Sequence, residues 1–259
     1  MSIKTIDFYF FSGSGNTYLV VKEMADLFKE EGMEVNLFRI ENVNPEDFDS
    51  SHTIGIGFPV AAQSTYKFIW DFFEKLPDAQ GTEIFMVDTL AQISGGLVGP
   101  MKKLLQKRGY KTIGSKEIKM PGNWFPGEIN ETKNKELISG GLKEAREYAK
   151  SLIDGQAEWK SQSFFSDLIC SVSRSGFAWN FFAKMGKKFQ VDRDKCKQCN
   201  ICIKLCPIGN IEMNDYPEFL GKCQQCMRCI SLCPTEAIYM KGKNSDIYRA
   251  VKAGELLKI

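Results

Sequence analysis

"IKTIDFYFFSGSGNT" occupies residues 3–17 and joins an apolar, β-rich run to a loop of glycines and hydroxyl residues. "YLVVKEMADLFKEEG" (residues 18–32) follows with the periodicity of an amphipathic helix. A strand, a glycine-rich loop and a helix in this order can hold a phosphate, because glycines let the backbone approach closely and a helix amino terminus offers free N–H groups. Hydroxyl donors come from Ser12, Ser14 and Thr17. The loop lacks the P-loop lysine and the dinucleotide spacing, so neither NTP hydrolysis nor NAD binding is indicated.

The pattern that follows this loop predicts the fold class of the first two thirds of the chain. Strands are predicted at 34–40, 52–58, 82–88 and 111–119, alternating with helices at 65–76, 97–108 and 131–153. Such alternation is typical of an α/β fold, here a doubly wound, five-stranded parallel sheet covered on both faces. Ligands of these sheets bind outside the carboxyl ends of the strands. The loops predicted at that edge are residues 12–17, 58–66, 88–96 and 120–127.

Two copies of one cysteine spacing, C-x2-C-x2-C-x3-C-P, follow in "CKQCNICIKLC" (196–206) and "CQQCMRCISLC" (223–233). Three cysteines on a tight loop can hold three corners of a 4Fe–4S cluster, and the fourth serves the other cluster in two-cluster proteins. The predicted assignment is therefore crossed. One cluster is assigned to Cys196, Cys199, Cys202 and Cys233, and the second to Cys223, Cys226, Cys229 and Cys206.

Zinc and disulfides are the alternative explanations of these cysteines. Structural zinc favours two separated cysteine pairs, and disulfides are rare in a reducing compartment. The matching tails "PIGNI" (207–211) and "PTEAI" (234–238) indicate an internal duplication. The segment closely resembles bacterial-type ferredoxins. Cys170 lies outside both motifs and is interpreted as a small buried residue.

Composition narrows the remaining classes of function. The 259 residues are 43% hydrophobic and 25% charged, which is typical of a globular protein. No apolar run reaches the roughly 18 residues of a membrane span, and the amino terminus lacks the pattern of a secretory signal. We therefore expect a cytoplasmic protein with reduced thiols and no transmembrane segment. From residue 187 onward there are 13 basic and 8 acidic residues, but the basic ones are scattered, which argues against nucleic-acid binding.

Three of the loops at the predicted carboxyl edge resemble those of the flavodoxin family, over residues 1–155. The resemblance implies FMN as a cofactor, with phosphate contacts from Ser12, Gly13, Ser14, Gly15, Asn16 and Thr17. It implies contacts to the flavin ring from Pro59, Val60, Ala61, Ala62, Gln63, Thr89, Leu90, Ala91, Gln92, Gly95 and Gly96. Many flavodoxins flank the ring with aromatic side chains of the second and third loops, whereas these loops offer only Tyr66. Trp124 of the fourth loop either covers the ring or packs within its own loop.

The predicted domains are a flavodoxin-like domain (1–157), an aromatic-rich docking segment (158–186) and a ferredoxin domain with two 4Fe–4S clusters (187–259). The segment has apolar helical faces rather than the polar, glycine-rich composition of a flexible linker. It is interpreted as a docking surface between domains or subunits, with a membrane-surface helix as the less favoured alternative. So much apolar surface also predicts a homodimer, in which the clusters of one chain face the flavin of the other.

The whole chain resembles the flavodoxin–ferredoxin fusion proteins of anaerobic bacteria and archaea. This resemblance implies an electron-transfer flavoprotein that passes electrons between low-potential 4Fe–4S clusters and FMN, with redox partner proteins as donor and acceptor. The alternative is an FMN-dependent reductase of a small molecule that its own ferredoxin domain supplies with electrons. No catalytic residue is assigned, because the sole histidine, His52, is interpreted as structural. This absence favours the carrier.

Overall fold

The computed structural model describes residues 3–92, 96–123, 129–159, 176–242 and 246–259. The strands are β1 (Thr5–Phe10), β2 (Glu34–Arg39), β3 (Thr53–Pro59), β4 (Glu83–Leu90), β5 (Lys111–Lys119), β6 (Phe189–Val191), β7 (Ile211–Met213), β8 (Pro217–Phe219) and β9 (Ile238–Met240). The α-helices are α1 (Asn16–Glu30), α2 (Lys67–Glu74), α3 (Val98–Lys107), α4 (Glu131–Ile153), α5 (Gly176–Gly186), α6 (Ile201–Lys204), α7 (Arg228–Ser231) and α8 (Ala253–Leu256).

The first five strands form one parallel sheet in the order β2-β1-β3-β4-β5. This order, 2-1-3-4-5, is that of flavodoxin-like sheets, and its switch point lies between β1 and β3. The predicted fold class and the predicted alternation of strands and helices are confirmed. The sheet places the loops after β1, β3, β4 and β5 together at its carboxyl edge.

Separate apolar cores cover the two faces of the sheet. Side chains alternate along β1, so that Phe8 and Phe10 pack in the core formed with α1 and α4. Tyr9 and Phe11 pack in the other core, formed with α2 and α3. This alternation is the two-residue period of an extended strand, and large side chains on both faces bury β1.

The cysteine motifs lie in a smaller α+β unit with two short antiparallel ribbons. β6 pairs with β9, and β7 pairs with β8. A small apolar cluster lies between the ribbons and consists of Phe189, Ile230, Ile238 and Met240. The predicted ferredoxin-like unit thus has its own core, and it also contacts the loop between β1 and α1.

The backbone of the two motifs repeats as the sequence does. Equivalent positions are 27 residues apart, and left-handed residues recur at the same places: Gln198 and Gln225, Asn200 and Met227, Gly209 and Glu236. The first two pairs turn the chain between cysteines, and the third pair turns it just after the fourth cysteine of each motif. Each such residue costs about 1–2 kcal/mol when it is not glycine. The duplication inferred from the sequence is therefore also a structural one.

Most of the predicted docking segment, with Cys170, lies outside the described residues. Its last part is α5, in which Phe181 is an exposed large apolar residue. Among the described helices, none combines the length and the hydropathy that a membrane span requires.

Candidate functional site

The loop between β1 and α1 is buried at the carboxyl edge of the sheet. Gly15 caps α1 with a φ of 110°, which an L side chain rarely adopts. Among the described residues, no acceptor receives a hydrogen bond from the backbone N–H groups of residues 13–17. Free N–H groups at a helix amino terminus are the donors that a phosphate dianion needs. The chemistry of this loop fits the terminal phosphate of FMN.

Side chains of the same loop tie the carboxyl edge together. The Asn16 amide donates to the Pro121 carbonyl over 2.7 Å, and the Asn123 amide donates to Ser14 Oγ over 3.2 Å. The hydroxyls of Thr17 and Thr89 share a hydrogen bond of 2.8 Å. Because Ser14 Oγ accepts in its bond, its own proton stays available for a phosphate.

The two loops predicted to contact the flavin ring are joined at the ends of β3 and β4. Val60 N donates to the Thr89 carbonyl over 2.8 Å. A tight turn follows, with positive φ at Ala62 and Gln63 and a bridge between Ala61 and Ser64. Exposed small or amide side chains, the surface that a flat ring could lie against, belong to Ala62, Gln63, Ala91 and Gln92.

The other residues predicted to contact the flavin ring differ in burial. Leu90 is buried in the sheet, Gly96 is buried with a φ of 140°, and Pro59 ends β3 half-buried. Gly95 and Trp124 lie outside the described residues. Tyr66 packs edge-on to Phe11, with ring centroids 5.6 Å apart, and burial raises its pKa far above the ordinary range of tyrosine.

Eight cysteines line two cavities in the sets that the crossed assignment predicts. One cavity is lined by Cys196, Cys199, Cys202 and Cys233. The other is lined by Cys206, Cys223, Cys226 and Cys229. We name these the first and the second cysteine site. Each site brings the fourth cysteine of one motif to the first three of the other.

Several cysteine sulfurs in both sites receive backbone hydrogen bonds. Asn210 N donates to Cys206 Sγ over 3.2 Å, and Ala237 N donates to Cys233 Sγ over 3.4 Å. These two bonds occupy equivalent positions of the repeat. Hydrogen bonds to sulfur stabilise thiolate ligands and tune the potential of a bound cluster. The donor set of each site therefore fits a 4Fe–4S cluster.

Burial controls the protonation of the thiols. Burial raises the pKa of both Cys202 and Cys223 to about 11 and that of Cys226 to about 12. For Cys226, the Arg228 guanidinium and the Arg228 backbone N–H act in the opposite direction. Near neutral pH these groups are thiols in the bare chain, so a cluster that binds them must displace their protons.

The second cysteine site lies directly on the loop between β1 and α1. A side chain at Gly13 would overlap the carbonyl oxygen of Cys226. The backbone of Phe68 donates to the Gln224 side chain over 3.3 Å, which ties the start of α2 to the second motif. Gly13 therefore permits a close approach of protein backbone, in addition to the phosphate approach predicted from the sequence.

The carboxyl-terminal segment, residues 246–259, crosses the same loop. Tyr248 Oη donates to Asn16 Oδ1 over 2.6 Å, and Ala250 N donates to the Ser14 carbonyl over 2.8 Å. A side chain at Gly15 would lie 2.6 Å from Val251 Cγ2. The segment thus buries the loop under the smaller unit.

Arg228 is the main residue of this interface that sequence reasoning missed. It lies between Cys226 and Cys229 and is completely buried. Its Nε donates to the Ser12 carbonyl over 2.8 Å, and its guanidinium forms an ion pair with Glu41. A signal was present in the sequence, because the equivalent position of the first motif is the apolar Ile201.

His52, which the sequence analysis interprets as structural, pairs with an acidic residue of β1. It lies just before β3, at the edge of the sheet opposite the loops. Its Nδ1 is 2.9 Å from Asp7 Oδ2, and this hydrogen bond raises the pKa of His52.

Comparison with protein-family models finds a match in part of the chain. Residues 189–212 and 219–239 match the family model of the 4Fe–4S binding domain. A comparison with curated proteins finds no match. Among solved structures, oxidised flavodoxin 2 from Bacillus cereus is 15% identical, covers 58% of this chain and 98% of its own, and has a TM-score of 0.46.

A second solved structure, two-electron reduced flavodoxin of Megasphaera elsdenii, is 24% identical, covers 53% of this chain and 98% of its own, and has a TM-score of 0.42. A flavodoxin of Streptococcus pneumonia TIGR4 is 15% identical, covers 57% of this chain and 99% of its own, and has a TM-score of 0.43.

Proposed function

We propose that this chain, a flavodoxin-like domain joined to a 4Fe–4S ferredoxin domain, is an electron-transfer protein that carries FMN and two clusters. The observation that carries the proposal is the position of the Cys226 carbonyl against Gly13. This contact brings the second cysteine site against the loop at residues 12–17, which supports the proposal that the two cofactors lie close together. A 4Fe–4S cluster exchanges single electrons and FMN takes one or two, so together they convert between one- and two-electron chemistry.

The residues assigned to FMN follow the loops of the carboxyl edge. Backbone N–H groups of residues 13–17 and the Ser14 hydroxyl would hold the phosphate. Residues 59–63 and 89–92, with Gly96, would face the ring, where small side chains leave one side of it open. The crossed cysteine sets would hold the clusters. Cys199 is exposed, whereas no cysteine of the second site is, so the first site is the one that an external redox partner can reach.

Cofactor analysis tests this proposal directly. Protein purified under anaerobic conditions is expected to release FMN, with about eight iron atoms and about eight sulfides per chain, as two 4Fe–4S clusters require. Chromatography of the released flavin separates FMN from FAD. FAD, or an iron content corresponding to a single cluster, would contradict the cofactor assignment.

The phosphate assignment is tested by placing a carboxylate in the loop. Ser14→Asp is expected to weaken FMN binding at least about tenfold, because like charges repel at short range. Thr132→Asp adds the same charge to an exposed position of α4 and serves as the control. Equal affinity of Ser14→Asp and the control for FMN would place the phosphate elsewhere.

A second candidate function is that of an FMN-dependent reductase of a small molecule. The exposed side chains of Ala62, Gln63, Ala91 and Gln92 favour it, because they leave access to the proposed ring site. Steady turnover of a small acceptor by the cluster-reduced protein would support the reductase. Electron transfer only to partner proteins would support the carrier.

Exchange of electrons between the chains of a homodimer remains a prediction. The contacts of the second cysteine site with the loop of its own chain support a route within one chain instead. Mixing Cys226→Ser protein, which lacks the second site, with FMN-free protein distinguishes the two. Reduction of flavin in the mixture but not in Cys226→Ser protein alone would support the route between chains. Reduction in the wild type without reduction in the mixture would support the route within one chain.

A further inference from the structure

Arg228 combines complete burial with a position inside the second cysteine motif. Besides its bond to the Ser12 carbonyl, the guanidinium donates to the Leu205 carbonyl over 3.0 Å. Its carbon lies 4.2 Å from the centroid of the Phe11 ring, a cation–π distance. Burying a charged group is costly unless it is paired, and these contacts hold the guanidinium in a single position.

The surroundings of Arg228 leave a net positive charge. Glu41 lies between two arginines, forming an ion pair with Arg228 and lying 3.8 Å from an Arg39 nitrogen. All three side chains are at most 7% exposed. Two cations and one carboxylate in a buried position carry one uncompensated positive charge, which solvent screens far less than a surface charge.

Within the described part of the chain, the first cysteine site has no counterpart of this buried charge. Ile201 occupies the equivalent position, and the loop residues 197–200 between the first cysteines are exposed. The charged side chains of that loop and its flank, Lys195 and Lys197, are in water. The two sites therefore differ in burial and in fixed charge, although their backbones match.

These two differences act on a bound cluster in opposite directions. A cluster becomes more negative when it is reduced, so burial lowers its reduction potential and a nearby fixed cation raises it. A second site as enclosed as this one would be the harder to reduce if it lacked a compensating charge.

We propose that Arg228 is a positioning residue that docks the second cysteine site on the loop at residues 12–17 and keeps its cluster reducible through a buried positive charge. The proposal rests on the cluster sites proposed above. Glu41 moderates this charge from the flavodoxin-like domain, so that each domain contributes to the electrostatics of the interface.

Substitutions at the two partners of the ion pair test the proposal. In an anaerobic redox titration of the full holo-protein, followed by EPR, Arg228→Met is expected to shift the midpoint potential of the second site to more negative values. Glu41→Gln is expected to shift it to more positive values, because it leaves both arginines uncompensated. Arg228→Lys, which keeps the charge, is expected to stay close to the wild type. The potential of the first site should not change in any variant.

The opposite signs separate electrostatics from mere loss of structure. Both Arg228→Met and Glu41→Gln break the same ion pair, so a purely structural role would shift the potential in the same direction in both. Shifts of one sign, or an unchanged second-site potential in both variants, would overturn the proposal. If Arg228→Met does not fold, the other two variants still test the proposal. The midpoint potential of the second site should then be more positive in Glu41→Gln and close to that of the wild type in Arg228→Lys.

Iron analysis tests the proposed function separately from the role of Arg228. Cys199→Ser protein, which lacks only the first site, identifies the signal of the second, and its iron content shows whether that cluster is bound at all. A wild-type chain without clusters would contradict the proposed function. If two clusters were bound but their potentials did not change on substitution of residues 41 and 228, only the proposed role of Arg228 would be contradicted.

Discussion

The two cysteine motifs have the same spacing and the same backbone turns but opposite surroundings. Residues 197–200 of the first motif are all exposed, whereas residues 224–227 of the second are buried or half-buried against the large sheet. Local sequence determines how a motif can wrap a cluster, and the neighbouring domain determines what that cluster can exchange electrons with. The repeated motif forms two sites with the same backbone conformation. Because the second packs closely against the other domain, the two sites differ in burial.

The largest expected effect comes from replacing the fourth cysteine of a motif. Cys206→Ala is expected to remove the cluster of the second site and leave that of the first, because Cys206 lines the cavity of the second motif. Iron should fall by about half, to roughly four atoms per chain. EPR with iron analysis checks this result.

Cys233→Ala is the matched variant and should remove the cluster of the first site instead. If each variant lost the cluster of its own motif, the crossed assignment would be wrong.

Asn210 marks a second difference between the repeats, since the equivalent residue is Ala237. The Asn210 side chain is buried and accepts a 2.6 Å hydrogen bond from Lys222 N. Asn210→Ala removes this part-buried hydrogen bond and should lower the free energy of unfolding by about 0.5–1.5 kcal/mol. Chemical denaturation of the apo-protein measures the loss.

Asn214→Ala, at the exposed start of the β7–β8 turn, provides the control for Asn210→Ala and should change stability little. Equal effects at the two positions would mean that the buried hydrogen bond contributes nothing.

Gly209 and Glu236 occupy the same left-handed position in the two repeats, with φ of 58° and 53°. Gly209→Ala should destabilise the protein by roughly 1 kcal/mol, because an added Cβ disfavours this conformation. Nothing lies within 4 Å of the added atom, so the effect would come from the backbone alone. Gly140→Ala, in the exposed middle of α4, should act in the opposite direction. Thermal unfolding that shifts the same way in both variants would refute the explanation.

Substitutions of two tyrosines test the difference between the docked side of the ferredoxin domain and its outer side. Tyr248 bonds Asn16 across the interface, while Tyr239, 42% exposed, bonds Gln190 over 3.1 Å. Tyr248→Phe should lower the free energy of unfolding by roughly 0.5–1.5 kcal/mol, the net value of a typical intramolecular hydrogen bond. Tyr239→Phe should be close to neutral, since water replaces its partner. Thermal unfolding of both variants checks the difference, and a larger loss for Tyr239→Phe would contradict it.

Much of the fold and of the candidate sites could be predicted from sequence patterns. The alternation of strands and helices gave the parallel sheet, because periods of 2 and 3.6 residues report which faces are buried. The spacing of the cysteines gave the two crossed sets, because a tight loop limits which side chains can converge. Arg228 was missed, since a single arginine within a cysteine motif is equally compatible with an exposed side chain.

The order of the elements, the duplicated cysteine motif and the glycine-rich loop can be predicted from the sequence, because they depend on interactions between near neighbours in the chain. Only the tertiary structure decided that the second motif, rather than the first, lies on that loop, and that Arg228 pairs with Glu41 at a distance of 187 positions along the chain. Local patterns encode backbone shape and apolar faces. The pairing of distant surfaces depends on their shape and charge in three dimensions, which no short stretch of the chain contains.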